Sequence, residues 1–575
     1  MILFSIKLFV RNYLLVLLFF SVLAISILSP IASNKYLPSN ELIIHTGSIV
    51  QAKMALDQGQ FPIRIAPWQH QGWGNAWFQY YSPFPYTIAG AIYKWIVPKN
   101  PYLALKLMLW LSIVLGSTYF YFLIAWMIQS EAIALLSATV YTLSPYYILN
   151  IHARGDFTEA IAQMLVPIVL YYTLRLFFCC KFSLYYSILT AIAWCMLACT
   201  CIITYVYSSF FISILLLLIG IQNRPFLTRI TYVGAAYLYG IMLAGYYIIP
   251  IILFEKYLKI DSLLNYFEQY NWLTSLPALF SIKALSPMPL PGNNLLTTAN
   301  LYFSVGLPIL LGTGTILYVL CNRFQQVNKN DSDWIISLLL VFSMAFIAVW
   351  TPFDFWMYLP KFLTVSQFSY RLLTVVMWSG AILFAFSLLY LFHNKFDARH
   401  AFVGLIIILI SSASWIPNQA GSLEVRNIIA NPSLGYGESH FLISNKVITV
   451  PIDASLKVFS VEDAGKNCTH KGRDTICNII VASKNTLIQL PILYYPKQLH
   501  ITANNKIIDY YPSPYDSYLL ASLKLPPGHY TIQSYFQGIE WANWISILAW
   551  SLLGFSIVFS LFRWDGFFKI KYLKK

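Results

Sequence analysis

Glu41 and His45 stand four residues apart in ELIIH, so a helix would place a carboxylate and an imidazole on one face. A carboxylate held partly out of water at a membrane surface can take a proton from a hydroxyl, and the imidazole can orient it or bind a phosphate or a metal ion. The pair also suits a bland role, an acid favoured by the helix dipole with Ser39 or Asn40 as cap, and the residues leave both readings open. A second group, Arg154, Asp156 and Glu159 in RGDFTEA, sets both signs of charge at the start of an apolar helix, which suits an anionic headgroup; Asp156 or Thr158 could equally cap that helix. A third, Gln367 and Arg371 in QFSYR, ends a loop and begins an apolar run, where an arginine either meets an anion or snorkels to the interface. Arg64, in GQFPIR, is a further candidate for contact with an anionic substrate. His70 with Trp68, Trp73 and Trp77 would suit sugar stacking, but aromatics gather at membrane interfaces in general, and the tryptophans are read as interface anchors.

The rest of the chain is built to hold such residues in lipid. At 575 residues, 58% hydrophobic and 10% charged, with a mean hydropathy of +0.64, it is too apolar for a soluble globule and too long for one span. Apolar runs able to cross about 30 Å of hydrocarbon fall near 12–31, 102–127, 131–149, 157–178, 183–199, 202–221, 230–252, 301–321, 334–351, 370–393, 400–417 and 542–562, which predicts about twelve spans. Residues 41–58 have helical spacing that closes at Gly59, 60–81 read as an ordered loop, and 82–97 are too short to span and read as a helix lying in the interface. Residues 1–417 are thus a helical bundle whose external loop, 32–101, carries interfacial helices.

A net charge of +15 does not point to nucleic acid, because the basic residues are scattered over short loops and the C-terminal tail. They obey the positive-inside rule instead: the turns holding Arg175 and Lys181, Arg224 and Arg229, Arg323 and Lys329, and Lys395 and Arg399 fall on one side if both termini are cytoplasmic. The candidate residues then all face outward. The first apolar run lacks a small-residue cleavage site and reads as an uncleaved signal anchor.

Residues 418–540 change to period-two alternation, as in NTLIQLPILYY and HYTIQSYF, with PSPYD and PPG as turns. This pattern predicts an all-β, sandwich-like domain on the outer side, followed at 541–575 by a final span and a basic tail. Cys468 and Cys477 lie there, and a disulfide between them would close a loop of about ten residues and add roughly 2–3 kcal/mol. No cysteine or histidine spacing matches a zinc site, and no Walker loop, HExxH or GxSxG occurs, so the motifs assign no metal residues and no nucleotide chemistry. A divalent cation, held by His45 and Glu159, is the one cofactor the reading allows, and no cofactor is assigned outright.

Taken in order, ELIIH, GQFPIR, YYSPFPY, RGDFTEA, YYIIP with Glu255, and QFSYR resemble the bacterial membrane-protein family labelled "6-pyruvoyl-tetrahydropterin synthase-related". That family is similar to YfhO-type proteins and, more distantly, to the GT-C superfamily of glycosyltransferases. The resemblance covers residues 38–393. It implies an α-helical polytopic membrane protein with a GT-C-like bundle, in a bacterial inner membrane, with a catalytic acid in the first external loop. It further implies a polyprenyl-phosphate-linked sugar donor and an envelope glycan or lipid acceptor. Carried onto this chain, the acid is Glu41 where the family more often has Asp, the RGxxxE pair is Arg154 and Glu159, and the last arginine is Arg371. A Thr-His pair of the family stands here as Thr200 and Cys201, so a role for that histidine does not transfer. The pterin name finds no support in the residues, since that chemistry needs a soluble fold with a three-histidine zinc site. Two other classes remain: a transporter or flippase of a lipid-linked glycan, disfavoured because spans such as 202–221 lack ionisable residues, and a non-catalytic envelope scaffold.

Overall fold

The computed structural model describes residues 2–36, 39, 41–179, 181–222, 226–259, 274, 276–281, 303–352, 356–358, 368–392, 396–413, 416, 423–424, 442–443, 457–471, 474–484, 486–515 and 518–562. Gln367, Asn40, the basic tail after Phe562 and most of 418–456 lie outside the described residues.

The chain is a multi-pass helical bundle followed by β-sheets. Its helices are α1 (Ile2–Leu28), α2 (Leu42–Asp57), α3 (Pro83–Trp95), α4 (Pro101–Ile128), α5 (Glu131–Thr142), α6 (Phe157–Phe177), α7 (Leu184–Ala198), α8 (Ile202–Gln222), α9 (Phe226–Leu243), α10 (Gly245–Phe254), α11 (Leu307–Arg323), α12 (Lys329–Trp350), α13 (Leu373–Leu391), α14 (Ala398–Ala413) and α15 (Glu540–Phe562). Starts follow local chemistry. Proline opens α3 and α4, where its missing N–H is no loss, and Asn100, Ser130 and Ser183 accept backbone N–H groups as caps of α4, α5 and α7.

Among the described residues, ten helices are long and apolar enough to cross a membrane, with α7 and α14 as shorter apolar helices. These ten and the two shorter apolar helices fall on the twelve apolar runs expected, with 184–198 and 398–413 shorter than the runs read there. The run at 230–252 is also not one span: it breaks at Ala244, between α9 and α10. The run expected at 301–321 starts later, since Gly306 takes a left-handed φ of 89° and Pro308 sits in the first turn of α11.

α2 and α3 form where interfacial helices are expected, and they pack on each other and on α4. α2 buries small polar residues, Thr46, Ser48 and Gln51, as well as apolar ones. Gly59, at φ 79°, ends its path.

The C-terminal strands are β1 (Lys457–Phe459), β2 (Cys468–Lys471), β3 (Asp474–Val481), β4 (Thr486–Leu493), β5 (Leu499–Ala503), β6 (Lys506–Ile507), β7 (Tyr511–Tyr515), β8 (Tyr518–Leu525) and β9 (Gly528–Phe536). They make a four-stranded sheet in the order β1-β4-β8-β7 and a five-stranded sheet in the order β2-β3-β9-β5-β6. β3 alternates exposed and buried residues, as a sheet with one solvated face requires, whereas β4 is buried throughout and is covered by the short helix Val461–Gly465. The segment expected to be a PSPYD turn is in fact part of β7, an edge strand, where proline is tolerated because no ladder partner waits on the outer side. Cys468 and Cys477 sit opposite each other in β2 and β3 and are joined as a disulfide.

These sheets are fastened to the loop between α2 and α3. The Tyr495 hydroxyl donates to Asn75 Oδ1 at 2.9 Å and accepts from the Ala76 N–H at 3.1 Å, and Gln498 donates to the Tyr80 hydroxyl at 2.6 Å. The β-sheets and the loop that follows Glu41 and His45 therefore occupy the same end of the bundle.

Candidate functional site

Three segments separated in sequence meet at that end. Glu41 is the residue before α2, and its N–H donates to the Arg154 carbonyl at 3.0 Å, which ties the start of α2 to the turn before α6. The approach is closest at Gly155, which has φ 71° and on which a Cβ would lie 2.7 Å from Ser39 Oγ and 2.8 Å from the Leu42 nitrogen. Gly155→Ala is therefore expected to destabilise the protein by at least about 2 kcal/mol, a left-handed penalty plus overpacking, and to lower activity by displacing Glu41. Gly59→Ala is the control: the same backbone region, but nothing within 4 Å of the new methyl, so about 1 kcal/mol is expected. Equal unfolding midpoints for the two variants would show that the approach at Gly155 is not critical.

From Glu41 a continuous chain of charged side chains runs inward. His45 Nε2 lies 3.4 Å from Glu41 Oε2 and 3.9 Å from Asp156 Oδ1. Asp156 Oδ2 accepts from Arg154 at 3.0 Å, Arg154 donates to Glu159 Oε2 at 2.9 Å, and Arg371 Nε pairs with the same oxygen at 3.1 Å. Asp156 also accepts from the Glu159 N–H at 2.9 Å, so it is both the cap of α6 and a member of the network. Arg371 does not snorkel; it is only 10% exposed and ion-paired inward.

Burial separates the carboxylates by role. Asp156 and Glu159 are 5% and 2% exposed, while Glu41 is 34% exposed. Charges that deep persist only when paired, and here they are. Arg154 is held additionally by Asn150 at 2.7 Å and lies over the Tyr370 ring at 5.3 Å. Glu159 receives further hydrogen bonds from Tyr146 and, at 3.3 Å, from Asn150. Glu41 is thus the network's one carboxylate that a substrate can approach with little rearrangement.

Burial pushes the Glu41 carboxyl up, but the His45 contact and the charges of Arg154 and Arg371 outweigh it and hold the group below its ordinary value. On the other side of His45, Nδ1 meets the Tyr86 hydroxyl at 2.6 Å. Burial first, then the Asp156 charge, pushes that phenol well above its usual range, so it keeps its proton. Nε2 is buried and faces the carboxylates of Glu41 and Asp156 at 3.4 and 3.9 Å.

Glu41, His45 and Asp156 each offer a donor atom, and these lie within 4.8 Å of one another. A carboxylate–imidazole–carboxylate set whose imidazole nitrogen faces both carboxylates, backed by a hydroxyl on the opposite ring nitrogen, fits a divalent cation. Glu159 is not part of it, being occupied by both arginines. Sequence spacing does not reveal this set because Asp156 comes from a different helix.

Several members of the site carry no sequence signal as functional residues. Tyr86 orients His45; Tyr146 and Asn150 satisfy Glu159; Phe368 and Tyr370 supply the faces on which Arg371 and Arg154 rest, at 5.2 and 5.3 Å. Those two rings stack on each other and, through Tyr370, on Phe303, with centroids 5.1 and 4.1 Å apart. The spacing Tyr146, Asn150, Arg154, one residue per turn, was the available hint. The turn Asn150–Arg154 is a π-helix, a form often found at functional sites. Cys201 lies within electrostatic reach of Glu159, Asp156 and Arg371.

Arg64 is engaged by a different set of partners. It donates to Gln79 and, at 2.6 Å, to Asn543 of α15, and lies over the Tyr246 ring at 5.4 Å. His70 is buried, and burial, reinforced by Lys259, lowers its pKa to about 4, so it is neutral. Of the tryptophans read as interface anchors, Trp68 is exposed but Trp77 is buried in the core.

No protein-family model and no curated protein matches the chain, so neither the YfhO-type nor the pterin-synthase-related name finds a counterpart. Among solved structures it is similar to the arabinofuranosyltransferase AftD from Mycobacteria, at 14% identity and a TM-score of 0.44 over 70% of this chain and 26% of that one. It is similar also to ArnT from Cupriavidus metallidurans bound to undecaprenyl phosphate, at 11% identity and a TM-score of 0.40 over 70% and 63% of the two chains. The Archaeoglobus fulgidus oligosaccharyltransferase in its apo form matches at 14% identity and a TM-score of 0.43, over 79% and 63%. The chain therefore spans between about a quarter and two thirds of the length of these proteins.

Proposed function

We propose that the chain is a membrane glycosyltransferase of the GT-C kind, moving a sugar from a polyprenyl-phosphate-linked donor to an envelope glycan or lipid acceptor on the outer face. The observation that carries this reading is the single charged network in which Glu41 alone among the carboxylates is substantially exposed. In an inverting displacement the acceptor hydroxyl attacks the anomeric carbon, the bond from that carbon to the phosphate oxygen breaks, and the hydroxyl proton passes to Glu41. Glu41 Oε2 faces His45, which leaves Oε1 for the acceptor. Arg371, the less buried of the two arginines, would receive the departing phosphate; Arg154, saturated by Asn150, Asp156 and Glu159, acts as the tie that holds the carboxylates.

Glu41, His45 and Asp156 would hold a divalent cation, which when bound supplies positive charge to a phosphate-bearing donor. The membrane is taken as a bacterial inner membrane, with both termini cytoplasmic and 418–540 forming an outer-face domain that fixes the acceptor side of the site through the loop after α2.

Cell-envelope glycans compared by mass spectrometry with and without the protein test the proposal. One sugar is expected to disappear from one glycan when the protein is absent. Unchanged glycans together with mislocalised lipid-linked precursors would point to transport instead.

A further inference from the structure

The opposite end of α6 carries a second cavity. It has a volume of about 640 Å³ and is lined by α1, α4, the start of α5, α6 and α7. Arg175 on its wall follows Asp156 by five turns of the same helix, which places the cavity about 28 Å from the network around Glu41.

Tyrosine is the commonest lining residue, represented by Tyr119, Tyr172 and Tyr186 among others. Their hydroxyls cluster: Tyr119 and Tyr172 meet at 2.6 Å, and Tyr186 accepts from Arg175 Nε at 3.2 Å and Nη2 at 2.6 Å. The Arg175 guanidinium lies against three rings, those of Tyr186, Trp126 and Tyr171, at 5.2, 5.4 and 5.9 Å. Tyr186 takes the Nε–Nη2 side, and the Nη1–Nη2 end of the guanidinium has two parallel N–H groups in its plane, the geometry that a phosphate's two oxygens match. Among the described residues no carboxylate lies within 4.0 Å of Arg175. Glu131, which is exposed, is the one acid among the described lining residues.

Among the described lining residues, one cation, one carboxylate and a wall of phenols match a zwitterionic ligand. The helices that line it are apolar, and a ligand entering from the bilayer would carry an acyl tail. We infer that this cavity binds the headgroup of a phosphoethanolamine lipid, with the phosphate on Arg175 and the tyrosine hydroxyls and the ammonium on Glu131 and the ring faces.

The test uses the purified full-length protein and native mass spectrometry, with phosphatidylethanolamine, phosphatidylglycerol, a polyprenyl phosphate and soluble phosphoethanolamine as separate probes. Phosphatidylethanolamine is expected to be retained at about tenfold lower concentration than any of the other three. Arg175→Gln should weaken its retention by about tenfold, and Glu131→Gln should bring it to the level of phosphatidylglycerol. Equal retention of phosphatidylglycerol or the polyprenyl phosphate overturns the assignment, as does wild-type retention by Arg175→Gln. Equally tight binding of soluble phosphoethanolamine would replace the lipid by a free metabolite. Glu131 is exposed, so its variant keeps the fold, and an unchanged preference there overturns the inference by itself.

Discussion

Replacing Glu41 by Gln will leave a folded protein in which sugar transfer is about 10²–10⁴-fold slower, the usual contribution of a general base. The amide has the same size, and the backbone bond from residue 41 to the Arg154 carbonyl does not involve the side chain. The measurement is transfer of a labelled sugar from a lipid-linked donor by purified protein, beside its unfolding midpoint. Wild-type transfer in the variant would remove Glu41 from the mechanism. The same carboxylate sets a pH limb. Its folded pKa is depressed below 4.5, so the charged form is favoured by folding; that contribution to stability is present above the unfolded value and is lost as pH falls through the folded one. Activity should therefore stay flat down to about pH 4.5 and fall only below it, and Arg371→Gln should move the limb upward by removing one of the charges that holds it down. A limb at about 6–7 would instead report a histidine.

Arg154→Met should be the most destabilising single change at the site, by about 3–5 kcal/mol, because it takes the cation from buried Asp156 and leaves buried Glu159 with Arg371 alone. Asp156 and Glu159 are at most 5% exposed, and Arg371 contacts only Glu159 among the ion pairs described. Arg154→Lys should recover little, since an ammonium cannot reach Asn150, Asp156 and Glu159 at once while lying flat over Tyr370. Adding Asp156→Asn to Arg154→Met should restore part of the loss by removing the charge left without its cation. Thermal unfolding in detergent measures all three, and a midpoint equal to wild type for Arg154→Met would mean that the network is not a unit.

The pieces of this network were legible wherever their contacts are local. Glu41 with His45 and Arg154 with Asp156 and Glu159 are each within one turn or two, so spacing alone put them together. What joins the pieces is a backbone bond between residues 41 and 154 and a glycine that permits it, and neither leaves a mark on composition or period. Tyr86, Phe368 and Tyr370 were hidden for another reason: in an apolar chain with 41 tyrosines and 40 phenylalanines they look like packing. The break at Ala244 could not be read because hydropathy averages across it. Arg64 stands close in sequence to the other candidates, yet its guanidinium is directed to α15.

That last contact reaches across 479 residues, from the loop after α2 to Asn543. During synthesis, every charged member of the network would emerge well before Asn543 does. The loop that flanks the site nevertheless lacks one of its anchors until the final helix has entered the bilayer. Assembly of this region is thus ordered in time, with its earliest residues waiting on the latest. A chain halted ahead of α15 would hold the charged residues of the network without the Asn543 anchor of the loop beside them.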